Sequence, residues 1–157
     1  MAGPQTMNAA VARLPTEAFH GRGLLIIAPQ GAGKTTYCGH NRQWTDSDAI
    51  MLESGVMKKQ KKASEATLKR WQACNQQLKA KGLWVMSSAW WSLSDADAVV
   101  LPTRATLASR LAKKTGADRI ENPDAEADMQ LRLLREWAAK ARKPAYASIS
   151  DACRMVP

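Results

Sequence analysis

Between residues 24 and 36 an unbroken apolar run, Leu24-Leu25-Ile26-Ile27-Ala28, passes directly into Pro29-Gln30-Gly31-Ala32-Gly33-Lys34-Thr35-Thr36. Five apolar residues bounded by Gly23 and Pro29 suit a strand buried on both faces, as in a parallel sheet covered by helices. The glycines then let the backbone curl, and a helix is expected to start near Gly33 and stop before Asn41-Arg42-Gln43. From Ala28 to Thr35 the residues match the spacing G-x-x-x-x-G-K-[ST] at every fixed position but the first, where Ala28 stands in place of glycine. Strand, loop and helix in that order gather backbone N–H groups and a helix N-terminus around one point, a cradle for an anion.

The rest of the chain alternates in a compatible way. Gln43-Trp44-Thr45 reads as a short second strand ending at Asp46-Ser47-Asp48, and a helix is expected over 49–57 with Asp46 or Ser47 as its cap. A longer helix is expected over 64–81: Ser64 is its N-cap, Ala66, Trp71, Cys74 and Leu78 recur at helical spacing, and Gly82 stops it. Further strands are read at 83–88, 98–101 and 145–149, with a turn at 94–97. Thr103 caps a helix running through Lys114 and ended by Gly116, and Asn122-Pro123 opens a last helix over 124–142, acidic in its first turn and basic in its last. Residues 1–21 hold Pro4, Pro15 and little periodicity, an irregular lead-in with room for a short helix near 7–14. This order of elements predicts an α/β, three-layer fold around a central, mostly parallel sheet of about five strands, in a single domain over 1–157.

Composition narrows the partners. The 157 residues carry 23 Lys and Arg against 14 Asp and Glu, a formal charge of +9, which favours phosphate-bearing molecules without choosing among them. No run of ~18 apolar residues is present and no secretory pattern opens the chain, so no membrane partner and a cytoplasmic location are expected. Cys38, Cys74 and Cys153 are widely spaced, with no CxxC and only His20 and His40 as imidazoles. Neither zinc nor a disulfide framework is expected, and the three thiols read as small buried hydrophobes.

On residues 28–36 and the acidic pair Asp46 and Asp48, twelve and fourteen residues beyond Lys34, the chain resembles the small P-loop kinases, the group of shikimate, gluconate, adenylate-type and bacteriophage polynucleotide kinases. The resemblance implies that Pro29, Gln30, Gly31, Ala32, Gly33, Lys34, Thr35 and Thr36 wrap the phosphates of ATP. Lys34 would reach the β- and γ-phosphates, and Thr35 would ligate Mg²⁺. It further implies that one of the carboxylates, Asp46, sits on the metal side while Asp48 accepts the proton of the substrate hydroxyl; on sequence alone the two roles are interchangeable, and Asp46 has helix capping as its other reading. A lid closing over the phosphates is expected at 113–123, with Arg110 and Arg119 as first choices for the cation that faces the transferring group. Adenine contacts are expected from the loop after the last strand, near Ser150 and Arg154.

Departures from the subfamilies matter as well. The third strand ends Ser87-Ser88-Ala89-Trp90-Trp91 rather than in the glycine turn of shikimate kinases, and no carboxylate follows 83–86 as it would in motor ATPases. Ser87, Ser88, Trp90, Trp91 and Arg104 are candidate acceptor contacts, the tryptophans having burial against helices as an equal alternative. The basic run 58–62 reads either as a solvated face or as a contact for a phosphate backbone. Size and organisation also look like phage-encoded kinases that act on 5′-hydroxyls or on hydroxymethylated bases in DNA. The expectation is an ATP-dependent, Mg²⁺-dependent kinase acting on a nucleoside, nucleotide or nucleic-acid hydroxyl. The alternatives are a kinase of small metabolites such as sugar acids and a non-catalytic protein that binds nucleoside triphosphate and nucleic acid.

Overall fold

The computed structural model describes residues 4–55 and 64–157. Five strands, β1 (Leu24–Ile27), β2 (Trp44–Asp46), β3 (Trp84–Ser87), β4 (Ala98–Val100) and β5 (Ala145–Tyr146), form one sheet in the order β2-β3-β1-β4-β5. Every pairing between them is parallel. The apolar run therefore became the central strand. Leu24, Leu25, Ile26 and Ile27 are each at most 2% exposed, and each contributes about 1.5–3 kcal/mol through burial.

Alternation along β1 sorts the core into two faces. Leu25 and Ile27, with Val85 and Val99, meet the helices α1 (Pro4–Ala12), α3 (Ser47–Glu53), α4 (Glu65–Ala80) and α6 (Pro123–Ala141) through Val11, Met51, Leu78 and Leu134. Leu24 and Ile26, with Met86, Ala98 and Val100, meet Tyr37 and Cys38 of α2 (Lys34–His40) and Ala152 and Cys153 of α7 (Ile149–Met155). A third, smaller cluster joins α5 (Arg104–Ala112) to α6 through Leu107, Leu111, Ala127 and Leu131. The three-layer arrangement expected from the alternation of elements is present.

Several expectations need correction. The short helix expected near 7–14 is present but starts earlier, at Pro4–Ala12, so that little of the lead-in is irregular, because Met7, Ala10 and Val11 cover the sheet beside α3. The final strand is only two residues long: the Ser148 hydroxyl accepts from the Asp151 N–H and turns the chain into α7, a helix that the short apolar stretch concealed. The turn expected at 94–97 begins earlier, as a 3-10 helix over Trp90–Asp95. Ser64 caps α4 as expected, its hydroxyl accepting from the Thr67 N–H, but Ala66 is exposed and Thr67 takes the buried place. The basic run 58–62 lies outside the described residues. Among the described residues no helix is long and apolar enough to cross a membrane.

Candidate active site

The carboxyl ends of β1, β2 and β4 open onto one cleft of about 1090 Å³, the position at which open parallel sheets bind their ligands. Its floor is the loop between β1 and α2. Gly31 and Gly33 hold φ of +82° and +98°, a left-handed backbone that costs other residues about 1–2 kcal/mol. Space is also short there: a Cβ on Gly31 would lie 3.0 Å from Leu111 Cδ2, and one on Gly33 3.3 Å from an Arg110 guanidinium nitrogen. Ala28, the departure from the motif, has no positive φ and packs its methyl fully buried between α2 and α7, so glycine is not required at that position.

Lys34 opens α2 and folds back into the loop. Its ammonium donates to the carbonyls of Pro29 at 3.1 Å and Ala28 at 3.3 Å, and lies 3.9 Å from Asp48 Oδ2. The side chain is thus stretched across the loop and only 7% exposed. The next residue, Thr35, donates its hydroxyl to Asp46 Oδ2 at 3.0 Å. The other oxygen of Asp46 accepts from the N–H groups of Asp48 and Ala49, so Asp46 caps α3 with one oxygen and faces Thr35 with the other. Asp48, in the first turn of α3, reaches the end of β3. Burial pushes its carboxyl above the ordinary carboxylate range and the Asp46 charge adds to this, while the Lys34 ammonium and hydrogen bonds from Ser88 oppose it.

The cleft walls come from distant parts of the chain. Arg110 on α5 donates to the Ala32 carbonyl, and Lys113, Lys114 and Ile120 follow it along the rim. Gln130 of α6 accepts from the Gln30 N–H at 2.9 Å and is itself tied to Glu126 at 3.0 Å. The loop Ala147-Ser148-Ile149-Ser150 closes the far end, whereas Arg154 pairs with Asp151 along α7 and does not line the cleft. Thr36 and Tyr37 contribute the α2 side.

No protein-family model matches this chain. No curated protein matches its sequence.

Of the residues singled out from sequence, those of the loop (except Pro29, whose carbonyl holds Lys34), Asp46, Asp48 and Arg110 share the cleft lining. Arg119 does not line it; among the described residues the Lys and Arg side chains at the rim are Arg110, Lys113 and Lys114. Arg104 is turned away as well, held by Asp128 at 2.6 Å and Asp124 at 3.9 Å on α6. Trp90 and Trp91 resolve toward the packing alternative. Their rings meet edge-on at 5.3 Å, Trp90 lies 5.5 Å from Trp137, and the Trp91 indole donates to the Leu68 carbonyl. Ser87 and Ser88 are bonded to Asp48 but are not among the residues lining the cleft; Ser87 is fully buried and Ser88 half-buried. Gln130 and Trp71, which donates to Asp48 at 3.1 Å, carried no motif signal. Trp71 sat among the apolar positions of its helix, and Gln130 lies 100 residues from its partner.

The three thiols are all pushed up to about 12, in each case chiefly by burial. Cys74, against Met7, and Cys153, in the core beside α2, fit the reading of small buried hydrophobes, whereas Cys38 is only partly buried against that core.

Proposed function

We propose that this protein is an ATP-dependent kinase that moves the γ-phosphoryl group to a hydroxyl of a nucleoside, nucleotide or polynucleotide. The observation carrying this reading is the convergence, in one cleft, of the Lys34 ammonium, the Thr35–Asp46 pair and the Asp48 carboxylate. A site built only to bind a triphosphate needs the first two and has no use for the third.

The donor set fits Mg²⁺. A hydroxyl and one carboxylate oxygen 3.0 Å apart match a small hard cation bound by one or two protein oxygens together with substrate phosphates. Mg²⁺ bound there supplies positive charge to the phosphate oxygens. Lys34, released from the Ala28 and Pro29 carbonyls, offers its ammonium to the same phosphates, and the loop N–H groups orient them. Arg110, Lys113 and Lys114 line the same cleft and would supply the cation that the charge developing during transfer needs. Asp48 takes the proton of the acceptor hydroxyl, and burial together with the Asp46 charge raises its proton affinity. Three rim cations in a chain of net charge +9 favour an acceptor that itself carries phosphate.

The test offers purified protein Mg-ATP labelled at the γ position together with a 5′-hydroxyl DNA oligonucleotide, thymidine, a nucleoside monophosphate and gluconate. Label on one of the first three is the expected result, abolished by Lys34→Ala. Label on gluconate alone would make the protein a small-metabolite kinase. Tight ATP binding without transfer to any acceptor would overturn the kinase reading in favour of a non-catalytic binder.

A further inference from the structure

The Asp48 carboxylate is ringed by donors. Its Oδ1 accepts from the Trp71 indole N–H at 3.1 Å and the Ser87 hydroxyl at 3.2 Å. Its Oδ2 accepts from the Ser88 N–H at 3.1 Å and the Ser88 hydroxyl at 2.7 Å, with the Lys34 ammonium at 3.9 Å. Each carboxylate oxygen offers about two lone-pair sites. An incoming hydroxyl therefore finds no free place until one donor leaves.

Three of the four donors are held by other bonds. The Ser88 N–H belongs to the backbone. Ser87 is fully buried, and its oxygen accepts from the Asn75 amide at 3.0 Å and the Ala89 N–H at 3.1 Å, which leaves its single proton for Asp48. Trp71 stands one turn from Asn75 on the same face of α4. Its ring is set edge-on against Trp91 at 5.2 Å, and Trp91 is bonded back to α4 at the Leu68 carbonyl. The Ser88 hydroxyl is different: it is half-buried, makes no second hydrogen bond among the described residues, and turns away by rotation about one bond.

We propose that the acceptor hydroxyl binds Asp48 Oδ2 in the place the Ser88 hydroxyl holds, while Trp71 acts as a positioning residue that fixes Oδ1. This inference rests on the kinase reading and specifies its acceptor side. The acceptor proton passes to Oδ2 as the acceptor oxygen bonds to the transferred phosphorus and the bond from that phosphorus to the nucleoside diphosphate breaks. Helix α4 thereby sets which oxygen of Asp48 works and where it points, although it contributes no residue to the cleft lining.

The experiment compares Trp71→Phe and Ser88→Ala with wild type, using whichever of the DNA oligonucleotide, thymidine, nucleoside monophosphate and gluconate is labelled. Trp71→Phe keeps the ring and loses the N–H; kcat is expected to fall about tenfold or more, the size of a hydrogen bond to a charged group, with the KM for ATP within about twofold. Ser88→Ala removes the competing hydroxyl, and the acceptor KM is expected to fall about three- to tenfold. Loss of kcat in both variants alike would make Ser88 a working part and overturn the proposal. So would a Trp71→Phe enzyme with unchanged kcat, or one whose KM for ATP rises in step with the loss. Should Trp71→Phe not fold, Ser87→Ala removes the other Oδ1 donor, with the same expected fall in kcat. If wild type labels no acceptor, the kinase reading fails by itself and crystal structures of the variants decide the geometry. Asp48 should then keep one rotamer in Ser88→Ala, with an ordered water at the vacated place, and take more than one in Trp71→Phe; a single unchanged rotamer in Trp71→Phe would refute the positioning role.

Discussion

Replacing Gly31 with alanine tests whether the loop is pressed against α5 in the way the structure requires. Two costs add. The residue holds φ +82°, for which a non-glycine side chain pays about 1–2 kcal/mol. The new methyl also meets Leu111 Cδ2 at 3.0 Å and Cγ at 3.3 Å. Leu111 is fully buried among Leu107, Ala127 and Leu131 and has little room to retreat, so overpacking adds about 1–3 kcal/mol. The sum, about 2–5 kcal/mol, corresponds to a fall in melting temperature of about 4–20 °C in a domain of this size. Urea denaturation gives the stability and a fluorescence titration with ATP gives the affinity, which should fall as well because the loop must move. Leu111→Ala in the same chain relieves the steric part and leaves the conformational part, so the two substitutions should be less than additive by about 1 kcal/mol or more. Gly39→Ala is the control: it lies in α2 with nothing within 4 Å of its Cβ position, and it should stabilise the protein by about 0.5–1 kcal/mol. A Gly31→Ala protein within about 0.5 kcal/mol of wild type, or strict additivity with Leu111→Ala, would refute the close approach of loop and helix.

Other outcomes follow from the same geometry. Asp46→Ala should lose about 1 kcal/mol as a helix cap, or about 2–4 °C in melting temperature, and Thr35→Val should leave that cap intact while weakening the Mg²⁺ dependence of ATP binding. Asp128 is held below its ordinary range by the hydrogen bond from Arg104. The linkage is therefore stabilising above the ordinary carboxylate pKa and is lost as pH falls through the depressed one, so an acid titration of stability should be shallower in Asp128→Asn than in wild type. With all three thiols pushed up to about 12, a maleimide at pH 8 should label the folded protein far more slowly than the urea-unfolded chain, where all three react. Rapid labelling of folded protein would contradict the burial of the thiols.

Local patterns carried a large part of this structure because they act over a few residues. Leu24 to Ile27 had to be a buried strand, Gly31 and Gly33 had to permit a left-handed turn, and Ser64, Thr103 and Asn122 each cap the helix they precede, since a cap bonds within its own turn. The spacing from Lys34 to Asp46 and Asp48 likewise placed one basic and two acidic groups at the ends of adjacent elements, and the fold brings them within hydrogen-bonding or ion-pair distance of one another or of Thr35. Amphipathic patterning marked where helices run but was silent on what each side chain meets. Trp71 looked like one more core residue until β3 and α3 were packed beside α4, and only then did its N–H face Asp48.

The same limit separates Arg110 from Arg119. Both were cations near the expected lid, and nothing in their immediate neighbours distinguishes them. The packing of Leu107 and Leu111 on α6 sets the rotation of α5 and turns Arg110 onto the Ala32 carbonyl, whereas Arg119 follows the separate 3-10 turn Gly116–Asp118 and is outside the cleft lining. By itself the sequence determined an α/β chain with a glycine-turned loop between strand and helix and a pair of carboxylates next to it, because steric and hydrogen-bonding rules over a handful of residues are enough for that. Tertiary structure alone decided which cations rim the cleft, that Trp90 and Trp91 pack rather than line it, and that Asp48 is gripped from α4. Those outcomes depend on how whole elements rotate against one another as their apolar faces close, and no short stretch of sequence encodes that rotation.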